Sequence, residues 1–307
     1  MYDSFIDTLE FFPRGLVYVA LGIVVLVVAK LVLDLVTPYK INRQLAEKNN
    51  SALGLSITGY FMGVIIVFAG VLYQPLNIVR DDQWQWTGDF WLDVLEVAIY
   101  SLVGIVLLNA SRLLVDRLVL YKFNTEKEII EDQNSGSAAV EAGVYVAAGL
   151  VIAASIAGST GGIEGVSEVS IAESALRSLA FFGMGMAVLV LFSFFYELTT
   201  SFNIHDEIEK NNVAVGVALG GNLVAIGLVT FKAVFGEFIG WGESIASFLT
   251  FAVIGFALLY VVRIAVDFAL LPGTRISHEL AVDRNVGVAF IESGVVIGAS
   301  IILYFAI

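Results

Sequence analysis

Six ionisable residues sit inside runs otherwise apolar enough to cross a bilayer. Arg112, Asp116 and Glu141 lie in the first half of the chain, and Arg263, Asp267 and Glu292 in the second. Asn109, Arg112 and Asp116 follow one another at spacings of three and four, which puts them on one helix face; Tyr260, Arg263 and Asp267 repeat the pattern. Charge inside a membrane is costly unless it pairs, and where it is kept it commonly marks an ion, proton or solute path. Two readings are open. In one, each arginine meets the carboxylates of its own half, and the network only locks helices together. In the other, the carboxylates serve a pathway between the two halves. Lys30 and Asp34 form a related pair near the N-terminus, while Ser193 and Glu197 hold the corresponding place in another run.

Little else in the chain offers chemistry. There is no nucleophile–base constellation, phosphate loop or metal-ligand spacing, so no catalytic residue, cofactor or metal is expected, and an enzyme is the weakest reading. The chain has no cysteine, which rules out disulfides and thiolate chemistry. His205 and His278 fall in polar connections and read as solvated loop residues. Asn222 and Lys232 read as a packing residue and an interfacial snorkeller.

The elements that must hold these residues are helices in lipid. Hydrophobic residues make up 58% of the chain and the mean hydropathy is +0.88, too little polar cover for a dispersed soluble domain. Runs of about 20 residues, the length that spans a bilayer, recur at 15–36, 52–74, 92–115, 137–157, 175–197, 213–234, 244–266 and 286–306. A membrane β-barrel would instead show alternating segments of about 10 residues. The fold expected is an all-α integral membrane protein with eight transmembrane helices, and the lipid bilayer is its first partner. A formal charge of −13 argues against nucleic acid. The opening MYDSFIDTLE is acidic where a signal peptide is basic, so the first helix is expected to be retained.

The chain also repeats itself. Residues 47–59 read EKNNSALGLSITG and residues 209–221 read EKNNVAVGVALGG. This pair belongs to a fourfold pattern in which Asn50, Asn134, Asn212 and Asn285 each open an even-numbered helix. Nine residues beyond each asparagine stands a glycine: Gly59, Gly143, Gly221 and Gly294. Small residues recur two, four and thirteen beyond it as well. At about 100° per residue, offsets two, nine and thirteen form one narrow stripe. Small side chains there let backbones approach, the packing device available to helices in lipid. The expected contact is structural, and each asparagine is expected to cap its helix. The unit is a helical hairpin occurring four times, which gives two pseudo-symmetric halves of two hairpins each, 1–160 and 166–307, joined through GSTGGIEG at 158–165.

The segments DEIEKNNVAVGVALGGNLVAIG and INRQLAEKNNSALGLSITGYFMG resemble the repeat of the YjfL-type bacterial inner-membrane proteins, a family known only as a domain of unknown function. The resemblance implies two such units in tandem in a bacterial inner membrane. It carries over no catalytic residue. Gene context associates the family with envelope-stress proteins.

Nine basic residues lie in the connections between helices 1–2, 3–4, 5–6 and 7–8, against four on the other side. By the positive-inside bias the repeated motif is cytoplasmic and both termini are outside. All four tryptophans fall on the poorer side, at headgroup level. The four prolines are expected at helix ends. Permeation or transport of an ion or small solute and a non-transporting scaffold that docks a cytoplasmic protein are both consistent with this layout. A homo-oligomer is left open.

Overall fold

A computed structural model of the chain describes residues 2–78, 88–159, 170–236, 238–269 and 273–306. Every regular element among them is helical, and all eight expected spans are helices long and apolar enough to cross a membrane. The spans lie in α1 (Tyr2–Val36), α2 (Ser51–Ile78), α3 (Gly88–Leu118), α5 (Ser135–Ser159), α6 (Ile171–Thr199), α8 (Val213–Val234), α9 (Trp241–Ala269) and α11 (Val286–Ala306). Three short helices, α4 (Thr125–Ile130), α7 (Ile204–Glu209) and α10 (Ile276–Ala281), fill the connections before α5, α8 and α11. A π-helical turn, Arg43–Glu47, takes that place before α2. Pro13 lies inside α1 and not at its end, because the helix starts well before the apolar span that opens at Phe12. Arg80, Trp84, Trp86, Pro272 and most of the glycine-rich joint fall outside the described residues.

The spans form two layers. α2, α5, α8 and α11 lie side by side in that order, and α1, α3, α6 and α9 cover one side of the row. α3 straddles α2 and α5, α6 straddles α5 and α8, and α9 straddles α8 and α11, whereas α1 packs on α2 and α3. The core therefore sits at the middle of the inner row: 89% of the α5 stretch is buried against 22% in α1 and α9.

Glycines set the spacing of the row. A Cβ on Gly143 would lie 2.5 Å from Gly220 Cα, and one on Gly63 2.5 Å from the Tyr145 carbonyl. Gly59 meets the backbone of Ala142, and Gly221 meets Ser293, at still closer range. Gly294 and Gly298 depart from the expected stripe contact: a Cβ on either would meet nothing within 4 Å beyond its own helix, because α11 ends the row. Gly70, off the repeated stripe, is tightly packed, since a Cβ there would come within 2.6 Å of Ala153 Cβ. α2 and α5 stay in touch to the far end of their spans.

A second set of contacts ties each outer helix to the inner helix before it. Val67, Val151 and Val229 each stand seventeen beyond an asparagine and press on Gly104 of α3, Gly185 of α6 and Gly255 of α9.

Candidate functional site

The asparagines build a clasp at one end of the row. Each side-chain carbonyl accepts the backbone N–H three residues on, closing the helix N-terminus: Leu53 N on Asn50 and Ser137 N on Asn134 at 2.9 Å, Val215 N on Asn212 and Val288 N on Asn285 at 3.3 Å. The amide group then reaches to the next connection. Asn50 Nδ2 donates to Ile129 O (2.8 Å), Asn134 Nδ2 to Ile208 O (2.7 Å), and Asn212 Nδ2 to Leu280 O (2.9 Å). The same group donates to an acid of its own connection: Asn134 to Glu128 (2.7 Å), Asn212 to Glu207 (3.0 Å), and Asn285 to Glu279 (2.9 Å). Burial pushes the Glu207 carboxyl up, but hydrogen bonds from Asn212 and Lys210 and the charges of Lys210 and Arg284 outweigh it and hold it below the usual glutamate range. Asn49, Gln133, Asn211 and Arg284, each just before a clasp asparagine, are all left-handed, with φ of 51°, 50°, 57° and 51°.

Glu128, Glu207 and Glu279 were not singled out from the sequence. They precede their asparagines by six, five and six residues, so the one-residue slip in the α7 connection hides the register.

Above the clasp lie the intramembrane charges. In the first half Glu141 of α5 receives the Ser56 hydroxyl from α2 and faces Arg112 Nε of α3 at 3.3 Å. Arg112 is also 3.8 Å from Asp116, and Tyr39 lies beside it. Asn109 donates to the Tyr60 hydroxyl (3.0 Å), which donates to Ala29 O (3.2 Å). In the second half Glu292 of α11 is 0% exposed and lies 3.6 Å from Arg263 Nε of α9. Neither Glu292 oxygen receives a hydrogen bond of good geometry. Asn222 is close to the carboxylate but donates to Ala218 O at 2.8 Å. Arg263 donates to Thr199 (3.1 Å) and stacks over Tyr196 (4.3 Å). Tyr260 does not join this group; it is 40% exposed and packs on Phe195.

The two sets do not face each other across the middle of the molecule. One lies among α2, α3 and α5, the other among α8, α9 and α11, each inside its own half. The expected pathway along the seam between halves is not what the fold builds, because α5 and α8 approach through glycine there. The aspartates act close to home. Asp34 accepts Ile41 N (3.1 Å) and Asp267 accepts Ile276 N (2.8 Å), so each fastens the start of a connection.

His205 differs from its expectation. It is 5% exposed, with Nε2 2.8 Å from Val119 O and Nδ1 3.1 Å from Glu197. Lys122 comes to 3.6 Å from the same carboxylate. This cluster pins α6 and α7 of the second half to the end of α3 in the first. His278 is on the surface, 3.6 Å from Asp283.

Two pockets lie at opposite ends of the helices. An open one of about 750 Å³ at the asparagine end is lined by Thr199, Asp267, Arg275 and His278, among others. Another, about 270 Å³, at the opposite end includes Ser155, Arg177, Lys232 and Ser244. Among the described residues no group of three His, Cys, Asp or Glu side chains could hold a metal.

The model of the DUF350 family, Domain of Unknown Function, matches residues 7–156 and again 170–307. The chain belongs to the DUF350 family. Two relatives place the DUF350 chain among multi-pass membrane proteins. A "UPF0719 transmembrane protein" of Aquifex aeolicus (strain VF5) is 24% identical over 264 residues, 86% of this chain and 88% of the relative. The "UPF0719 transmembrane protein YshE" of Bacillus subtilis (strain 168) is 31% identical over 124 residues, 40% of this chain and 87% of that protein. No solved structure matches the chain significantly. The double DUF350 match fits an internal repeat.

Proposed function

We propose that the chain moves an ion or proton across a bacterial inner membrane, using a site inside a half and not the seam between halves. What carries the reading is Glu292, a wholly buried carboxylate with one cation at 3.6 Å, Asn222 close by, and no hydrogen bond of good geometry to either oxygen. Removing a carboxylate from water costs several kcal/mol unless partners satisfy its lone pairs. A proton or a small cation arriving at Glu292 relieves that cost, and its departure restores it. Access is from the asparagine end: Thr199 lines the open pocket and accepts the hydrogen bond of Arg263, which faces Glu292. No catalytic step belongs to this proposal.

Purified protein in liposomes carrying an internal pH or ion indicator tests it. Flux should be present in the wild type and fall at least tenfold in Glu292→Gln, while the variant still folds. Wild-type flux in a stable Glu141→Gln/Glu292→Gln protein overturns the reading.

The asparagine end is the cytoplasmic one in this proposal, with both termini outside. Arg14 and Arg177 of the opposite end are buried, which deepens the basic imbalance between the faces. In this cysteine-free chain, Lys48→Cys and Lys127→Cys should react with an impermeant thiol reagent only after the cells are opened.

A scaffold role is supported by a different observation. The short connection helices are tied into one row by the asparagine clasp, with Lys210 and Arg284 outermost, so they offer a fixed charged face to a cytoplasmic protein. No flux in any condition would favour that reading.

A further inference from the structure

We infer that a second copy of this chain docks head-to-tail on the first, α11 of one copy against α2 of the next. Neighbouring inner helices make one contact three times over. The residue nine beyond the asparagine on one helix meets the residue eight beyond it on the next: Gly59 with Ala142, Gly143 with Gly220, Gly221 with Ser293. The second of these joins the two DUF350 segments, so the contact already serves unit against unit.

At the ends of the row both sides of this contact are open. A Cβ on Gly294 of α11 would meet nothing within 4 Å beyond its own helix. On α2, Leu55, Thr58, Met62 and Ile65 form an exposed line at helical spacing. Thr58 stands eight beyond Asn50 and is the residue that Gly294 would meet. Ile65 replaces the glycine that α5 and α8 have at the same offset, and it would sit over Gly298, which has no side chain to displace.

Three further features, independent of the small residues, match in the same register. The first is the clasp. Asn50, Asn134 and Asn212 each reach a carbonyl of the next connection, whereas Asn285 bonds only within its own; the corresponding carbonyl of a following copy is that of Leu45. The second is the other half of the EKNN repeat. Asn211 Oδ1 accepts Ser135 N (2.9 Å) and Gly136 N (3.3 Å), closing the N-terminus of the preceding inner helix. Asn49, its counterpart, is exposed and has no inner helix before it in its own chain; the α11 N-terminus of another copy, at Val286 and Gly287, supplies one. The third is the valine set that presses on outer-helix glycines. Its fourth member, Ile302, is 68% exposed. The place it would take on the next copy is Ala20, which is thirty before Asn50 as Gly104 is before Asn134, and is itself exposed. Because the two faces differ, the contact is heterologous and copies add in one direction, closing a ring or extending a row.

The absence of cysteine makes the test direct. Thr58→Cys and Gly294→Cys are made in separate, differently tagged chains and oxidised in native membranes. A disulfide-linked dimer is expected only when both variants are expressed together, and a ladder of multiples when one chain carries both changes. Self-cross-linking of Gly294→Cys alone, or no product from folded variants, overturns the proposal. Equal yield from a control pair on exposed outer-helix positions of equal depth, Leu113→Cys with Leu191→Cys, also overturns it, as random collision. Gly294→Leu supplies a second readout: the gently solubilised particle should drop from several copies to one while its melting temperature stays within a few degrees. An unchanged particle mass counts against the docking.

Discussion

A single side chain type closes this molecule at one end. Asn134 caps α5, satisfies the buried Glu128 carboxylate and reaches α7, three roles for one amide. Asn285 caps α11 and meets Glu279 but makes no link to a further connection in its own chain. Replacement of a capping asparagine by alanine costs about 1 kcal/mol, and each further hydrogen bond adds about 1 kcal/mol. Asn134→Ala should therefore cost about 3 kcal/mol, and Asn285→Ala about 1–2 kcal/mol in a dissociated chain, read from thermal or denaturant unfolding in detergent. Equal losses would mean that the links between connections contribute nothing. The asparagines were legible in the sequence as caps because capping is local chemistry. The acids behind them and the carbonyls ahead were not, since they depend on how one hairpin lies against another.

At the scale of the helices, the eight spans could be read from hydropathy alone, because lipid leaves a long apolar helix few alternatives. The glycine stripe was also legible, but the partner of each stripe was not. Offsets two, nine and thirteen say that a face is smooth; only the order of the row says whether another helix lies on it. Hence the difference between Gly143, against Gly220, and Gly294, against nothing. Gly70 shows the same limit from the other side, being tightly held although no repeat marked it. Leucine at Gly143 or Gly70 must push backbone or a short Cβ, and overpacking of this kind costs about 1–3 kcal/mol. Gly143→Leu and Gly70→Leu should both lower the melting temperature of the dissociated chain clearly, and Gly294→Leu should leave it almost unchanged. Intact melting in Gly143→Leu would refute the packing assigned to the row.

For the whole molecule, pseudo-symmetry in the sequence conceals an asymmetry in the charges. The spacing of Arg112, Glu141, Arg263 and Glu292 predicted two equal sets, and the halves do pair them alike. The environment differs. Glu141 has a hydroxyl from α2 that Glu292 does not receive from α8, because the place of Ser56 is taken by an apolar residue, Ala218. Removing charge from a well-paired buried group leaves its partner stranded, whereas neutralising a poorly satisfied one is far cheaper. Glu141→Gln should thus destabilise by about 2–4 kcal/mol and Glu292→Gln by less than about 1 kcal/mol, compared by unfolding under identical conditions. Equal destabilisation would indicate that the second site is as locked as the first.

The inner row also bears on biosynthesis. α5 docks on α2, α8 on α5 and α11 on α8, so each new inner helix needs only a surface already made. Successive clasp asparagines are separated by 84, 78 and 73 residues, and no inner helix waits for a later one to complete its seat. Coupling confined to nearest neighbours lets such an array propagate from one end. A nascent chain can thus leave the insertion machinery one hairpin at a time, each arrival covering the smooth face left by its predecessor. A chain ending after α8 would present Gly221 as the open edge that Gly294 presents in the full chain.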